Sequence, residues 1–123
     1  MQDIRFTIPL PPVTKKNSQR LVKRGKRTIP LPSEAFERYE ASAGWFLPHR
    51  GECITAPCEV TALFYMSTQR IVDLVNLLEG LDDILVTYKV LKDDNSRIIV
   101  SHDGSRVLYD KERPRTDVLI RFL

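Results

Sequence analysis

Alternating apolar and polar residues mark both ends of the chain as strands that bury one face. Residues 4–8 read Ile-Arg-Phe-Thr-Ile and are followed by Pro9, which ends a strand, and residues 118–122 alternate in the same way. Residues 58–66 and 98–100 are short runs rich in β-branched and other apolar side chains. The pattern therefore predicts four strands.

Two longer segments carry apolar residues at steps of three and four, which is the period of a helix with one buried face. The first spans about residues 34–47, and Ser33 in front of it is a candidate N-cap. The second spans residues 73–88, where apolar residues lie on one side and polar residues on the other. The element order is then βαβαββ, which predicts an α+β fold with a mixed sheet covered by two helices.

The length of 123 residues and the hydrophobic content of 42% fit one domain, residues 1–123, with an ordinary core. No apolar run reaches the roughly 20 residues of a membrane-spanning helix, and the chain does not begin with a basic segment followed by an apolar one. We therefore expect a cytoplasmic protein without a membrane partner. In that compartment, Cys53 and Cys58 are expected to stay reduced.

A basic segment stands out against the rest of the chain. Residues 14–27 contain seven lysines and arginines and no acid, whereas the remaining chain holds twelve basic and sixteen acidic residues. Since the segment is too polar to be held by burial, we expect residues 12–31 to form a mobile loop that becomes ordered on binding. Its charge would attract phosphates, acidic proteins or anionic lipid headgroups, and a solvated loop without a partner is the alternative. The cations are Lys15, Lys16, Arg20, Lys23, Arg24, Lys26 and Arg27.

Several catalytic classes lack their residues in this sequence. His49 and His102 are the only histidines, and neither they nor the two cysteines stand in a nucleophile motif or at the spacing of a zinc site. A structural or surface role is favoured for both histidines. The five glycines are scattered singly, so no phosphate-binding loop is present and no nucleotide cofactor is expected.

Carboxylates cluster on and after the second predicted helix. Magnesium is usually held by one or two carboxylates together with waters and phosphate oxygens. Asp73 and Asp94 could share such an ion if the chain folds back after the helix, and a solvated acidic surface is the alternative. The carboxylates concerned are Asp73, Glu79, Asp82, Asp83, Asp93 and Asp94.

Three parts of the sequence resemble the RusA-type Holliday junction resolvases. Residues 73–85 and 92–95, Asp-Leu-Val-Asn-Leu-Leu-Glu-Gly-Leu-Asp-Asp-Ile-Leu and Lys-Asp-Asp-Asn, are similar to a family core of Asp-x-Asp-Asn-x-x-Lys, a later aspartate and an aspartate pair. Residues 11–18, Pro-Pro-Val-Thr-Lys-Lys-Asn-Ser, stand where the family has a proline and a lysine-rich loop. Residues 110–116 resemble a Firmicutes-like prophage branch.

This resemblance covers nearly the whole chain and implies a RusA-like fold. It also implies a homodimeric endonuclease that uses magnesium, or manganese, to resolve four-way DNA junctions in phage or prophage recombination and repair. A two-fold dimer would match the two-fold symmetry of such a junction, and Trp45 and Phe46 are candidate interface residues. The basic segment would then bind DNA.

Four positions correspond to functional residues of the family. By position, Asp73 matches the first catalytic aspartate and Asp94 the aspartate of the terminal pair, in which Asp93 is the other member. Asn76 matches the motif asparagine, and Asp83 matches the later helix aspartate. The resemblance therefore implies that Asp73 and Asp94 are catalytic metal ligands and that the other three residues support them.

Two positions depart from the family pattern. Val75 stands where the family has its second catalytic aspartate, and Glu79 stands where it has a lysine. Because Glu79 lies one helical turn beyond Val75 on the same face, it could replace the missing carboxylate, so that Asp73, Glu79 and Asp94 are catalytic. The alternatives are a protein that binds branched DNA without cutting it, and a phage interaction module without a nucleic-acid role.

Overall fold

The strands and helices follow most of the predicted periodicity. The computed structural model describes residues 2–15, 20–31, 33–49 and 51–123. In chain order the strands are β1 (Ile4–Ile8), β2 (Arg20–Arg24), β3 (Arg27–Leu31), β4 (Cys58–Met66), β5 (Ile99–Ser101), β6 (Arg106–Tyr109) and β7 (Arg115–Phe122), and the helices are α1 (Glu34–Ala43) and α2 (Leu74–Thr87).

Five of the strands form one mixed sheet. Strand β7 lies between β1 and β4 and is antiparallel to both. Strands β5 and β6 are both parallel to β4, and they pair with its start and its end respectively. The protein is therefore a single small α+β domain with a mixed sheet and two helices, which confirms the predicted class.

One face of the sheet and both helices share the hydrophobic core. Val60, Ala62 and Phe64 on β4, and Val118 and Ile120 on β7, are buried, whereas their neighbours along each strand are more exposed. Each fully buried valine, isoleucine or phenylalanine side chain contributes about 1.5–3 kcal/mol. The helices add Phe36, Tyr39, Ala43, Leu77, Leu81, Ile84 and Leu85 to this core.

Helix α1 begins as predicted and ends earlier than predicted. The Ser33 hydroxyl accepts a hydrogen bond from the backbone N–H of Phe36 at 3.1 Å, which confirms the N-cap. After Ala43 the chain tightens into a short 3₁₀ helix, Gly44–Phe46. A Cβ atom on Gly44 would lie 2.5 Å from the Tyr88 ring, so only glycine lets the end of α2 approach this closely.

Helix α2 confirms the prediction for residues 73–88, with Asp73 as N-cap and Tyr88 as C-cap. The next residue, Lys89, has a left-handed backbone with φ of 61°. Its N–H donates to Val86 O, and the N–H of Val90 donates to Leu85 O at 2.9 Å. These two bonds form a Schellman motif, which turns the chain sharply toward the acidic segment 92–95.

The prediction of a loop is wrong for residues 20–31, because β2 and β3 form an antiparallel hairpin. Gly25 has a φ of 65°, which allows a tight turn between Arg24 and Arg27. The hairpin is a separate two-stranded sheet. Strand β6 is also absent from the predicted order βαβαββ, so the sheet has one strand more than the sequence pattern indicates.

Both cysteines are free thiols, as expected for reduced residues. Cys58 is buried, and its thiol lies 3.2 Å from the carbonyl oxygen of Ile98. Within the described residues, neither α1 nor α2 is long and apolar enough to cross a membrane.

Candidate functional site

The hairpin presents its cations on both sides of the Gly25 turn. Lys23, Arg24, Lys26 and Arg27 are all exposed. Arg24 and Arg27 face each other directly across the two strands, where two like charges repel. An anion bound between them would relieve this repulsion. The turn therefore gathers four of the predicted DNA-binding cations in one place.

The remaining predicted DNA-binding residues are placed differently. Lys15 lies against α2, where its Nζ is 2.6 Å from Asp83 Oδ2, and both side chains are about two thirds buried. Its charge is therefore already paired within the protein. Lys16 lies outside the described residues, and so does the side chain of Arg20.

The start of α2 carries Asp73 and Asn76. Asn76 Nδ2 donates to Asp73 Oδ2 at 3.3 Å, and Asp73 is exposed. Val75, at the position of the family's second aspartate, is 70% exposed. Glu79 is half-buried one turn further along the helix. The polar residues of the predicted motif thus line the outer side of α2.

The carboxylate of Asp93 forms hydrogen bonds within the turn that follows α2. Its carboxylate accepts hydrogen bonds from the backbone N–H of Asp94 at 2.8 Å and from Asn95 Nδ2 at 2.9 Å. These bonds lower the pKa of Asp93. Its role in the structure is therefore to hold the turn that presents Asp94.

Asp94 lies in an environment that disfavours its negative charge. Partial burial raises the pKa of Asp94, and the neighbouring carboxylates of Asp93 and Asp83 raise it further. The charges of Asp83, on the third turn of α2, and Asp94 therefore repel each other across the turn. A cation near Asp94 would relieve this repulsion.

The predicted three-carboxylate set is not assembled. Within the ranges that the structure describes, no group of three or more histidine, cysteine, aspartate or glutamate side chains is close enough to hold a metal ion. Asp73, Glu79 and Asp94 all lie in these ranges. A magnesium ion at Asp73 and Asp94 would therefore need waters and phosphate oxygens as its remaining ligands.

Sequence analysis gave no role to the contact between Asp82 and His102. His102 Nε2 lies 2.9 Å from Asp82 Oδ2, and His102 Nδ1 lies 2.8 Å from Val60 O. The second oxygen, Asp82 Oδ1, is buried without a hydrogen-bond partner among the described residues. No sequence signal could have joined these residues, because they are twenty positions apart and the α2–β5 connection brings them together.

The pKa of Asp82 is raised, chiefly by burial, although the contact with His102 acts to lower it. The same hydrogen bond raises the pKa of His102. Because the Val60 carbonyl can only accept, His102 Nδ1 carries a proton. A second proton must then lie between Nε2 and the Asp82 carboxylate, since one of these atoms has to donate.

No model of a known protein family matches this chain, and no curated protein is significantly similar to it. The resemblance to RusA-type resolvases therefore rests on the motifs quoted above and stays a prediction.

Proposed function

We propose that this protein binds branched DNA and that the β2–β3 hairpin is its phosphate-binding surface. The observation that carries the proposal is the group of four exposed cations around Gly25, in which Arg24 and Arg27 are paired directly across the two strands. The choice of branched DNA comes from the motif resemblance.

Charge distribution favours a polyanion over a neutral partner. The hairpin holds no acidic residue, whereas acids outnumber cations in the rest of the chain. DNA phosphates bound by lysine and arginine release counterions, so affinity falls steeply with salt. A hairpin tip that carries arginine can also bind phosphate oxygens through paired N–H groups.

Salt titration of junction binding tests the proposal. We expect a synthetic four-way junction to bind in chelator, and we expect replacement of Lys23, Arg24, Lys26 and Arg27 by alanine to reduce the slope of log affinity against log salt by about 3–4. The matched control removes four exposed cations outside the hairpin, Arg38, Lys92, Arg97 and Lys111. An equal loss of slope in both variants would contradict a hairpin-based interface.

Cleavage of the junction is the second candidate function. The feature that favours it is the environment of Asp94, where burial first and the neighbouring carboxylates of Asp93 and Asp83 next raise the pKa, because a divalent cation would relieve the repulsion between the carboxylates. We propose Asp73 and Asp94 as the metal-binding pair, with Glu79 as the third catalytic carboxylate and magnesium or manganese as the ion. A bound magnesium ion would supply an activated water and neutralise phosphate charge.

Incubation with metal separates the two functions. Paired nicks in a four-way junction with magnesium or manganese, but not with chelator, would support cleavage, and the variants Asp73→Asn, Asp94→Asn and Glu79→Gln should abolish them. A junction that is bound but stays uncut would identify a non-cutting binding protein. In that case Val75→Asp combined with Glu79→Lys, which rebuilds the family motif, should introduce cleavage.

We also propose that the protein is a homodimer. A four-way junction has two-fold symmetry, so a dimer with two-fold symmetry could contact two equivalent strands in the same way. Trp45 is 86% exposed and Phe46 is 42% exposed on the 3₁₀ helix after α1, so neither completes the core of a single chain. Sedimentation of the wild type and of Trp45→Ser tests this assignment. A monomeric wild type at micromolar concentration would contradict it.

A further inference from the structure

The face of the sheet opposite the helices contains a cavity of about 640 Å³, which we call the sheet-face cavity. The strand register brings the residues of the cavity floor side by side, because Leu119 on β7 pairs with Arg5 on β1 and with Thr61 on β4. Two residues along β7, Asp117 pairs with Thr7 and Leu63. Each of these side chains alternates with a buried one, so together they face away from the core. The lining comprises Arg5, Phe6, Thr7, Thr61, Leu63, Arg113, Arg115, Asp117, Val118 and Leu119.

Positive charge dominates this lining. Three guanidinium groups, from Arg5, Arg113 and Arg115, face a single carboxylate, Asp117. That carboxylate is already engaged, since it accepts hydrogen bonds from Thr7 Oγ1 at 2.8 Å and from Arg115 Nε at 3.2 Å. The net positive charge of the cavity lining therefore comes from Arg5 and Arg113.

Arg115 is held in place by four neighbours, one of which is the Arg113 carbonyl oxygen, 3.0 Å from Arg115 Nη1. Its Nη1 donates to Asp110 Oδ2 at 3.0 Å, its Nε donates to Asp117, and its guanidinium carbon lies 3.8 Å from the centre of the Tyr65 ring. In contrast, the side chains of Arg5 and Arg113 are exposed and make no hydrogen bond or ion pair with any residue in the described ranges. The cavity thus has a fixed floor between two cations that are free to bind an external anion.

We propose that the sheet-face cavity binds a single-stranded segment of nucleic acid, with Arg5 and Arg113 on its phosphates and Leu63 and Leu119 under its bases and sugars. This inference deepens the proposed function by adding a second contact surface to the hairpin. A single-stranded segment occurs where the arms of a branched substrate open.

Size and shape favour a single strand over a duplex. Leu119 and Arg115 are four residues apart on β7, which corresponds to about 13 Å at roughly 3.3 Å per residue. The cavity floor is therefore longer than a single phosphate group. In a duplex the bases are paired and stacked on one another, so their faces cannot lie on Leu63 and Leu119, whereas the bases of a single strand can. Exposed bases can lie on apolar side chains and arginine planes without any requirement for sequence.

Binding of a fluorescent oligothymidine of about 12 nucleotides tests the inference. We expect the double variant Arg5→Ala/Arg113→Ala to weaken this binding about tenfold and to lower its salt slope by about 1.4, because each phosphate contact on a single strand contributes about 0.7. The control Arg97→Ala removes an exposed cation from the turn before β5, and it should leave the single-strand affinity nearly unchanged. Circular dichroism should show that all variants are folded.

The outcomes separate this inference from the proposed function. If the junction binds through the hairpin while oligothymidine does not bind, or binds equally to the double variant, the cavity assignment is wrong and the hairpin assignment stands. If neither probe binds, both are wrong. If Leu119→Asp abolishes self-association while oligothymidine binding is unchanged, the face is an interface between copies of this chain instead.

Discussion

His102 donates or accepts one hydrogen bond at each ring nitrogen, and the one to Asp82 joins the middle of α2 to the end of β5. Nδ1 is held by Val60 O at 2.8 Å and Nε2 by Asp82 Oδ2 at 2.9 Å. Both side chains are mostly buried, with exposed fractions of 25% and 13%. The hydrogen bond between Asp82 and His102 therefore links helix α2 to the sheet. Because both side chains are mostly buried, breaking this bond would leave a buried polar group without a partner, which costs stability.

The first prediction is that stability falls as pH rises through the titration of this pair. The pKa of both His102 and Asp82 is raised in the folded protein, so the fold retains the shared proton more tightly than the unfolded chain does. The part of this stabilisation that comes from His102 is complete below the ordinary histidine pKa of 6.5 and is lost as pH rises through the higher pKa of His102 in the folded state. Urea unfolding at a series of pH values between about 6 and 8.5 measures this loss in the free energy of unfolding.

The control for this prediction is Asp82→Asn. An asparagine amide can donate to Nε2 of a neutral imidazole while Nδ1 keeps its bond to Val60, so no shared proton is required. Its stability should change less with pH than that of the wild type. The carboxylates of Asp83 and Asp94 also act on Asp82, and Asp82 in turn acts on Cys58, whose thiol pKa is raised mainly by burial. A wild-type curve as flat as that of Asp82→Asn would contradict the shared proton.

The second prediction concerns the ion pair between Lys15 and Asp83. Both side chains are about two thirds buried at a distance of 2.6 Å, so we expect a coupling free energy of about 0.5–1 kcal/mol. A double-mutant cycle with Lys15→Met and Asp83→Asn measures it. Because Lys15 is paired, Lys15→Met should also reduce the salt slope of DNA binding less than Arg24→Ala does. Equal reductions would mean that Lys15 leaves Asp83 when DNA binds.

The third prediction is that Lys89→Gly stabilises the protein. Lys89 has a φ of 61° in the turn that ends α2, and glycine adopts that backbone without a steric penalty. We expect the free energy of unfolding to rise by about 0.5–1 kcal/mol in denaturant titrations. Lys89→Val should lower it, since a β-branched side chain is strained in this conformation. A loss of stability in the glycine variant would show that the lysine side chain does more than occupy the turn.

The fourth prediction is that Val75→Asp alone does not destabilise the protein. Val75 is 70% exposed in the first turn of α2, where a negative charge interacts favourably with the helix dipole. We expect a gain of about 0.3–1 kcal/mol, reduced by repulsion from Asp73. Thermal unfolding at low salt measures it, and Val75→Asn is the uncharged control.

Local periodicity was sufficient to predict the elements that form the core. Strands β1 and β4 and helix α2 have the predicted bounds within one residue, because their buried faces recur at two or at three to four positions. The end of α1 could not be predicted, since it depends on the close contact between Gly44 and Tyr88, which lie far apart in sequence. The hairpin was missed because five of its twelve residues are cations and its few apolar residues do not form the sustained alternation by which strands are recognised.

The candidate site was harder to predict than the fold. The sequence placed Asp73, Asp83 and Asp94 near the same helix, but their separation in space depends on how the turn after Lys89 returns to the sheet. The pairing of Lys15 with Asp83 and of His102 with Asp82 arises from the same packing. Contacts between distant segments carry no periodic signal, so the residue types could be predicted while their partners could not.

The hairpin forms its own sheet, and this separation has an evolutionary consequence. Strands β2 and β3 pair with each other and not with the five-stranded sheet, so a change of charge at Lys23 or Lys26 leaves the core hydrogen bonds intact. Most substitutions that alter a binding surface also cost stability when that surface is part of the core sheet. If the hairpin binds a polyanion as proposed, its charge can therefore be changed one residue at a time while the domain stays folded.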